Sequence, residues 1–258
     1  MKIATWNING VIRRLDNLLT WLGEAAPDVL CLQELKCTRA AFPSHALEKA
    51  GYRGHWVAEG RWNGVALLAR GSAPILTRTE LPGDAEDGQA RYVEAAIGGM
   101  IVACLYAPNG NPMPGPKYDF KRAWLARLQS HAADLLSKNV PLVLAGDFNV
   151  APEARDVYET SSYDGSALTD AASRRAFSDL LDLDLSDAIR DLFGDRTIYT
   201  FWDYRRNRFE RNGGLRLDHI LLSRPVRARL TTGGVDRPSR ARENASDHAP
   251  IWIEMNWD

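Results

Sequence analysis

With 258 residues, 45% of them hydrophobic and 25% charged, the chain is long and apolar enough to bury a full core, which excludes a disordered chain. Residues 1 to 7 run straight into a strand-like segment, and no later run approaches the roughly eighteen apolar residues of a spanning helix. The expectation is therefore a soluble, unexported, cytoplasmic protein with no membrane contact. The formal net charge of -1 says little as a sum.

Short apolar or β-branched runs bounded by Gly, Pro, Asn or Asp predict strands, and longer amphipathic stretches predict helices. In chain order the pattern predicts a strand at Lys2 to Asn7, a helix at Val11 to Glu24, and strands at Asp28 to Gln33, Tyr52 to Ala58, Gly64 to Arg70, Tyr92 to Ile97 and Met100 to Tyr106. A long helix at Lys117 to Ser137 follows, with Phe120, Trp124, Leu128, Leu135 and Leu136 holding one face. The remaining elements are a strand at Pro141 to Gly146, helices at Arg174 to Leu181 and Ser186 to Leu192, and strands at Arg216 to Leu222 and Pro250 to Met255. No linker-like tract divides the chain, so residues 1 to 258 read as one domain. Helices are too few for a βαβ unit at each strand, which favours an α/β fold of two mixed sheets packed face to face with helices outside. Cys31, Cys37 and Cys104 lack the spacing of a zinc site or a disulfide framework, and Cys31 and Cys104 read as reduced core residues.

Acids, amides and histidines recur where predicted strands meet loops. Asn7 closes the first strand and Glu34 the second. Asp147 and Asn149 follow the apolar run at Leu142 to Leu144, where a period of two sends both to the same side. Taken alone, Gly-Asp-Phe-Asn fits an Asx turn equally well. Asp218 and His219 are adjacent on a strand and so face opposite ways, which makes Asp218 the site candidate and His219 structural. Asp247 and His248 precede the last strand, where a turn presents both. Five separated segments delivering such groups to strand ends point to a metal-dependent phosphoesterase.

Charge is unevenly spread. Residues 196 to 245 hold twelve arginines against five acids, whereas residues 146 to 195 hold twelve acids against four arginines. Tyr199, Phe201, Trp202, Tyr204 and Phe209 lie among those arginines, a mixture that grips phosphates and stacks on bases or sugars. The alternative is a solvated basic loop.

Together these segments resemble a known family. Thr-Trp-Asn-Ile-Asn-Gly at residues 5 to 10, Leu-Gln-Glu-Leu-Lys at 32 to 36, Asn-Gly-Val-Ala-Leu-Leu at 63 to 68 and Tyr-Ala-Pro-Asn-Gly at 106 to 110 carry the first half of the resemblance. Gly-Asp-Phe-Asn at 146 to 149, Phe-Trp-Asp-Tyr-Arg at 201 to 205, Leu-Arg-Leu-Asp-His at 215 to 219 and Ser-Asp-His-Ala-Pro at 246 to 250 carry the second. The pattern is similar to exonuclease III and its relatives, the class II apurinic/apyrimidinic endonucleases of the endonuclease/exonuclease/phosphatase superfamily. It is collinear along the whole chain.

That resemblance implies a four-layered α/β sandwich and hydrolysis of the phosphodiester 5′ to abasic sites in duplex DNA, with 3′ to 5′ exonuclease and 3′-phosphatase activity. It implies Mg²⁺, with Mn²⁺ as a substitute, held by Glu34 with Asn7 and with Asp247 as an auxiliary ligand. Asp147 would orient and deprotonate the attacking water, with His248 the alternative base, and Asn149 would position water and phosphate. His248 would otherwise donate to a non-bridging oxygen, with Asp218 fixing its tautomer. Asn7 and Tyr106 would complete the phosphate cradle, and Asn109 would touch the DNA backbone. Phe201, Leu215 and Leu217 would form a small pocket for the base-free sugar, and Arg205 would brace the opened duplex unless it is a solvated surface residue. Trp202 reads as packing. Many relatives have tryptophan where this chain has Leu215, a departure that bears on the balance between abasic-site incision and 3′-end processing. The implied partner is damaged or 3′-blocked double-stranded DNA, met by a monomer. A phosphoesterase for another phosphate ester and an inactive DNA-binding module are the rival readings; the Phe201 to Arg205 segment opposes the first, and the intact set of Glu34, Asp147, Asn149, Asp218 and His248 opposes the second.

Overall fold

Twelve strands are found among the described residues, 1 to 159 and 163 to 257, of the computed structural model. In chain order they are β1 (Lys2–Asn7), β2 (Val29–Gln33), β3 (Tyr52–Val57), β4 (Val65–Arg70), β5 (Ile75–Arg78), β6 (Tyr92–Ile97), β7 (Met100–Tyr106), β8 (Leu142–Asp147), β9 (Leu185–Asp187), β10 (Asp218–Ser223), β11 (Leu230–Val235) and β12 (Ile251–Met255). The helices are α1 (Leu15–Ala25), α2 (Ser44–Lys49), α3 (Pro116–Ser137), α4 (Ala171–Leu181), α5 (Ala188–Phe193), α6 (Arg224–Arg227) and α7 (Arg237–Arg240). No helix among the described residues is long and apolar enough to cross a membrane.

The strands form two six-stranded sheets, ordered β11-β12-β1-β2-β4-β3 and β5-β6-β7-β8-β10-β9. Each sheet holds one parallel pair, β1 with β2 and β7 with β8, and its other neighbours are antiparallel. A parallel pair needs a crossover, and α1 and α3 supply it, so each sheet contains one βαβ unit at its centre. The carboxyl ends of β1, β2, β7 and β8 carry Asn7, Gln33, Tyr106 and Asp147.

Alternation along the strands explains the layers. One set, including Ile3, Cys31, Leu67, Val102, Val143 and Ile220, meets between the sheets, while Trp6, Leu30 and Leu32 point outward beneath Leu18 and Trp21 of α1. On the other side Leu105, Leu142 and Leu144 pack under Trp124 and Leu128 of α3 and Phe177 of α4. The result is helix, sheet, sheet, helix, as expected. Each Val, Leu or Ile so buried contributes roughly 1.5–3 kcal/mol. Cys31, Cys37 and Cys104 are free and buried.

Several boundaries differ from the sequence pattern for identifiable reasons. The first helix begins at Leu15 rather than Val11, because the Val11 amide donates to the Leu35 carbonyl and ties that turn to the loop after β2. Ser186 lies in an edge strand, not a helix: residues 185 to 187 pair with β10, and Asp187 then caps α5 by accepting from the Arg190 amide. On α3 the buried set includes Lys121 and His131, while Phe120 and Leu136 are only partly buried. Strands β5 and β11 lack a predicted counterpart. The first is exposed at all four positions, and the second carries Gly233 and Gly234, so neither shows the buried alternation that marks a strand.

Candidate active site

The strand register assembles one rank of polar groups at the end of the second sheet. Tyr106 lies beside Asp147, and Asp147 lies directly opposite Asp218, so the three side chains share one face. Gly146 allows this close pairing, because a Cβ there would overlap the Leu105 carbonyl oxygen. Across the interface Asn7 donates to Asp147 Oδ2 at 3.0 Å and to Glu34 Oε1 at 2.9 Å, joining the two sheets through one amide. The Tyr106 hydroxyl donates to the same Glu34 oxygen at 2.9 Å.

Asn149 shows that two readings of Gly-Asp-Phe-Asn hold together. Its backbone adopts the left-handed region (φ 52°), and its amide donates to Asp147 Oδ1 at 2.8 Å, which is an Asx turn. That turn also brings the Asn149 side chain to 3.4 Å from Asp147 Oδ2. Asn109 donates to Asn149 Oδ1 at 3.1 Å and so extends the rank. Glu34, at φ 52°, is likewise left-handed, a conformation that costs a side chain other than Gly, Asn or Asp about 1–2 kcal/mol.

His248 faces this rank from the loop before β12. Its Nδ1 lies 2.7 Å from Asp218 Oδ2, which also accepts from the Thr200 hydroxyl at 2.6 Å. Its Nε2 points toward Asp147 Oδ2 at 3.9 Å. Burial disfavours the imidazolium, yet the charge and hydrogen bond of Asp218 outweigh it and raise the His248 pKa to about 10. Burial pushes the Asp147 carboxyl up to about 7; His248 pulls the other way, and the charges of Asp218 and Glu34 add to the rise. At Glu34 burial also favours the neutral acid, but the Lys36 ammonium and the Asn7 hydrogen bond hold the carboxylate below its ordinary range. Burial, then the Glu34 charge, raise the Tyr106 phenol well above its usual value.

Asp147, Asp218 and His248 have ligating atoms within 4.8 Å of one another. His248 Nδ1 is engaged by Asp218 Oδ2 and its Nε2 faces Asp147 Oδ2, a geometry that suits the trio to proton transfer. Glu34 and Asn7, bonded to each other at 2.9 Å, offer oxygens of the kind a hard divalent ion takes.

Asp247 stands apart from that trio, its Oδ1 accepting from Asn9 Nδ2 at 2.9 Å. Asn9 in turn accepts from Lys36, which pairs with Glu34 at 2.5 Å, so Asn9 and Lys36 link Asp247 to Glu34. No role was read for either from the sequence, although both lie within quoted motifs, nor for Thr200, which adjoins one. His219 is structural as expected: it faces away from the site, against Phe148 and Phe177, with Nε2 at 2.9 Å from the Val150 carbonyl.

Leu215 and Leu217 are brought together with Phe201, in one cluster with Ala151, Val157 and Leu168. Both leucines are buried, and Phe201, half-buried, packs its ring 4.9 Å from that of His248. Trp202 is buried, in agreement with a packing role. The basic segment needs correction. Arg216 does not face solvent: it is buried and ion-paired with Asp156 (2.7 Å) and Asp187, and Arg208 is also drawn inward. Arg205 and Arg206 are exposed and enter no ion pair among the described residues. Beside Tyr106 and Asn109 runs a groove of about 760 Å³ lined also by Trp62, Arg91 and Lys117, with the Trp62 ring exposed. Asn63 and the Tyr106 to Gly110 motif line it, whereas Trp62, Arg91 and Lys117 lie outside the quoted motifs.

Comparison with known proteins identifies the family. The profile of the Endonuclease/Exonuclease/phosphatase family matches residues 4–248. Exodeoxyribonuclease III of Haemophilus influenzae is 32% identical, with 99% of this chain and all of that protein covered, and the DNA repair nuclease APEX1 of Danio rerio is 31% identical over 98% of this chain and 81% of the fish protein. Among solved structures, the 3′-5′ exonuclease NExo from Neisseria meningitidis superimposes with a TM-score of 0.96 at 38% identity over both full chains. An AP endonuclease from Archaeoglobus fulgidus superimposes with a TM-score of 0.93 at 33% identity over 99% of each chain. With its residues 4–248 matched and full-length relatives above 30% identity, this chain belongs to the endonuclease/exonuclease/phosphatase family.

Proposed function

We propose that this chain is a DNA-repair nuclease that hydrolyses the phosphodiester 5′ to an abasic site in duplex DNA and also trims 3′ ends as an exonuclease and 3′ phosphatase. The observation that supports it best is the linked set of Asp218, His248, Asp147, Asn149, Asn7 and Glu34 at the meeting ends of two sheets. In this reading residues 1 to 258 act as one domain and as a monomer on DNA in the cytoplasm.

Asp147 accepts the proton of the attacking water, and Asn149, locked to it by the Asx turn, orients that water and the phosphate. A carboxylate whose pKa lies near neutrality is matched to that task. His248, kept cationic by Asp218, donates from Nε2 to a non-bridging oxygen as charge develops there. Asn7 and Tyr106 hold the phosphate from the side of Glu34. Glu34, with Asn7 and with Asp247 through Asn9, would hold Mg²⁺, for which Mn²⁺ can substitute. When bound, the cation supplies positive charge to the phosphate oxygens. Phe201, half-buried, meets the base-free sugar with the buried Leu215 and Leu217 backing it, while Asn109 and Arg205 contact the DNA.

A second reading shifts the weight toward 3′ ends. NExo, at 37–38% identity, is described as a 3′ phosphatase and a 3′-5′ exonuclease, and Leu215 and Leu217 are buried beneath Phe201. A duplex with one internal tetrahydrofuran abasic analogue, compared with a nicked duplex bearing a 3′ phosphate, separates the two. Mg²⁺-dependent incision of the first supports abasic-site repair. Release of phosphate from the second alone assigns the enzyme to 3′-end processing, and cleavage of neither overturns the proposal.

A further inference from the structure

Lys121 lies on α3, is completely buried, and has no part in the chemistry proposed above. An ammonium buried without a carboxylate partner is costly, and among the described residues no acid lies within ion-pair reach of it. Its Nζ instead donates to three backbone carbonyls, those of Asn149 at 2.6 Å, Ala167 at 2.8 Å and Asn109 at 3.2 Å. An ammonium has three N–H donors and no acceptor, so these contacts use it fully.

The three carbonyls belong to separate segments: the turn after β8, the loop before α4, and the loop after β7. Two of them are the backbones of Asn149 and Asn109, whose side chains are themselves bonded at 3.1 Å. The lysine stem is fixed as well. A Cβ on Gly110, which has a φ of 86°, would lie 2.7 Å from Lys121 Cδ and 2.9 Å from the Ala167 Cβ. Burial disfavours the charged form, while the charges of Asp147 and Asp170 and the three carbonyl acceptors, which only the ammonium can serve together, favour the cation.

We propose that Lys121 is a positioning residue for hydrolysis: by drawing three carbonyls onto one ammonium, it sets where the Asn149 and Asn109 side chains stand relative to Asp147. Buried with all three donors on carbonyls, it acts through Asn149. A leucine or methionine would fill the same volume without gathering the carbonyls. The inference rests on the proposed phosphodiester hydrolysis, whose own failure is distinct, since it appears as no cleavage by the unmodified enzyme.

The test is a double-mutant cycle on kcat with wild type, Lys121→Met, Asn149→Ala and the pair, at a temperature well below the Tm of each. Lys121→Met should lower kcat at least about tenfold with KM within about threefold of wild type. In the Asn149→Ala background its effect should shrink below about threefold, because the group it positions is gone. Equal fold losses in both backgrounds would overturn the proposal, as would a lowered Tm with kcat within about twofold of wild type. If Lys121→Met does not fold, Lys121→Gln, which keeps two N–H donors, is carried through the same cycle and judged by the same coupling.

Discussion

His248 Nδ1 lies 2.7 Å from Asp218 Oδ2, and that contact fixes which way the imidazole charge is biased. Asp218 raises the His248 pKa to about 10 against the effect of burial, while burial raises Asp147 to about 7. Hydrolysis needs Asp147 ionised and His248 protonated, so kcat should rise as pH passes through about 7 and fall as it passes through about 10. The limbs belong to the coupled pair and not to isolated groups. Asp218→Asn removes the largest charge favouring the cation and leaves burial, which disfavours it, opposed by the weaker effects of Asp147 and Asp247. Its alkaline limb should move down by more than about one pH unit. An unmoved limb in a pH–rate profile would remove His248 from the acid role.

Arg216 and the exposed arginines should behave oppositely. Arg216 is buried between Asp156 and Asp187, and its removal leaves Asp187 without its arginine and Asp156 with Arg190 alone. Arg216→Met should destabilise the fold by about 3–5 kcal/mol, the usual cost of breaking a buried pair from one side. Denaturant unfolding measures this, and a loss below about 1 kcal/mol would mean that the network is solvated.

Arg205 and Arg206 are free of ion pairs among the described residues and exposed, hence available for phosphates. Replacing both with Ala should flatten the slope of log K against log salt by about 0.9 per lost contact, for damaged and undamaged duplex alike. Binding across a salt series checks this, and an unchanged slope would return the pair to the solvated surface.

Glu34→Gln keeps the hydrogen bonds that Glu34 Oε1 accepts from Asn7 and Tyr106 but loses the charge. The Mg²⁺ concentration for half-maximal activity should rise at least about tenfold. A titration with an unchanged midpoint would take Glu34 out of the cation site.

Local periodicity made some of the site legible in sequence, whereas Tyr106 and Asn109 entered only through the family resemblance. Leu142 to Leu144 form a short apolar run, so the strand end and Asp147 follow from it, and alternation alone separates Asp218 from His219. What escaped is set by tertiary contacts. Arg216 looked like one more member of a basic stretch because the acids that bury it, Asp156 and Asp187, are remote in sequence. Lys121 interrupts the apolar face of α3 because its three acceptors come from other loops. β5 is an exposed edge without alternation, and β11 contains two glycines, so both depend on neighbours and not on their own pattern.

The role of Asp147 is central, because the register of β8 and β10, the Asx turn and the His248 ion pair all converge on it. The most direct measurement is single-turnover cleavage, with saturating Mg²⁺ and enzyme in excess, of a duplex bearing one tetrahydrofuran site by wild type and by Asp147→Ala. The expected result is a rate lowered on the order of 10²-fold or more, with DNA affinity within a few-fold of wild type, as befits a group acting in the transition state. Cleavage by Asp147→Ala at close to the wild-type rate would contradict the assignment and place the proton acceptor elsewhere.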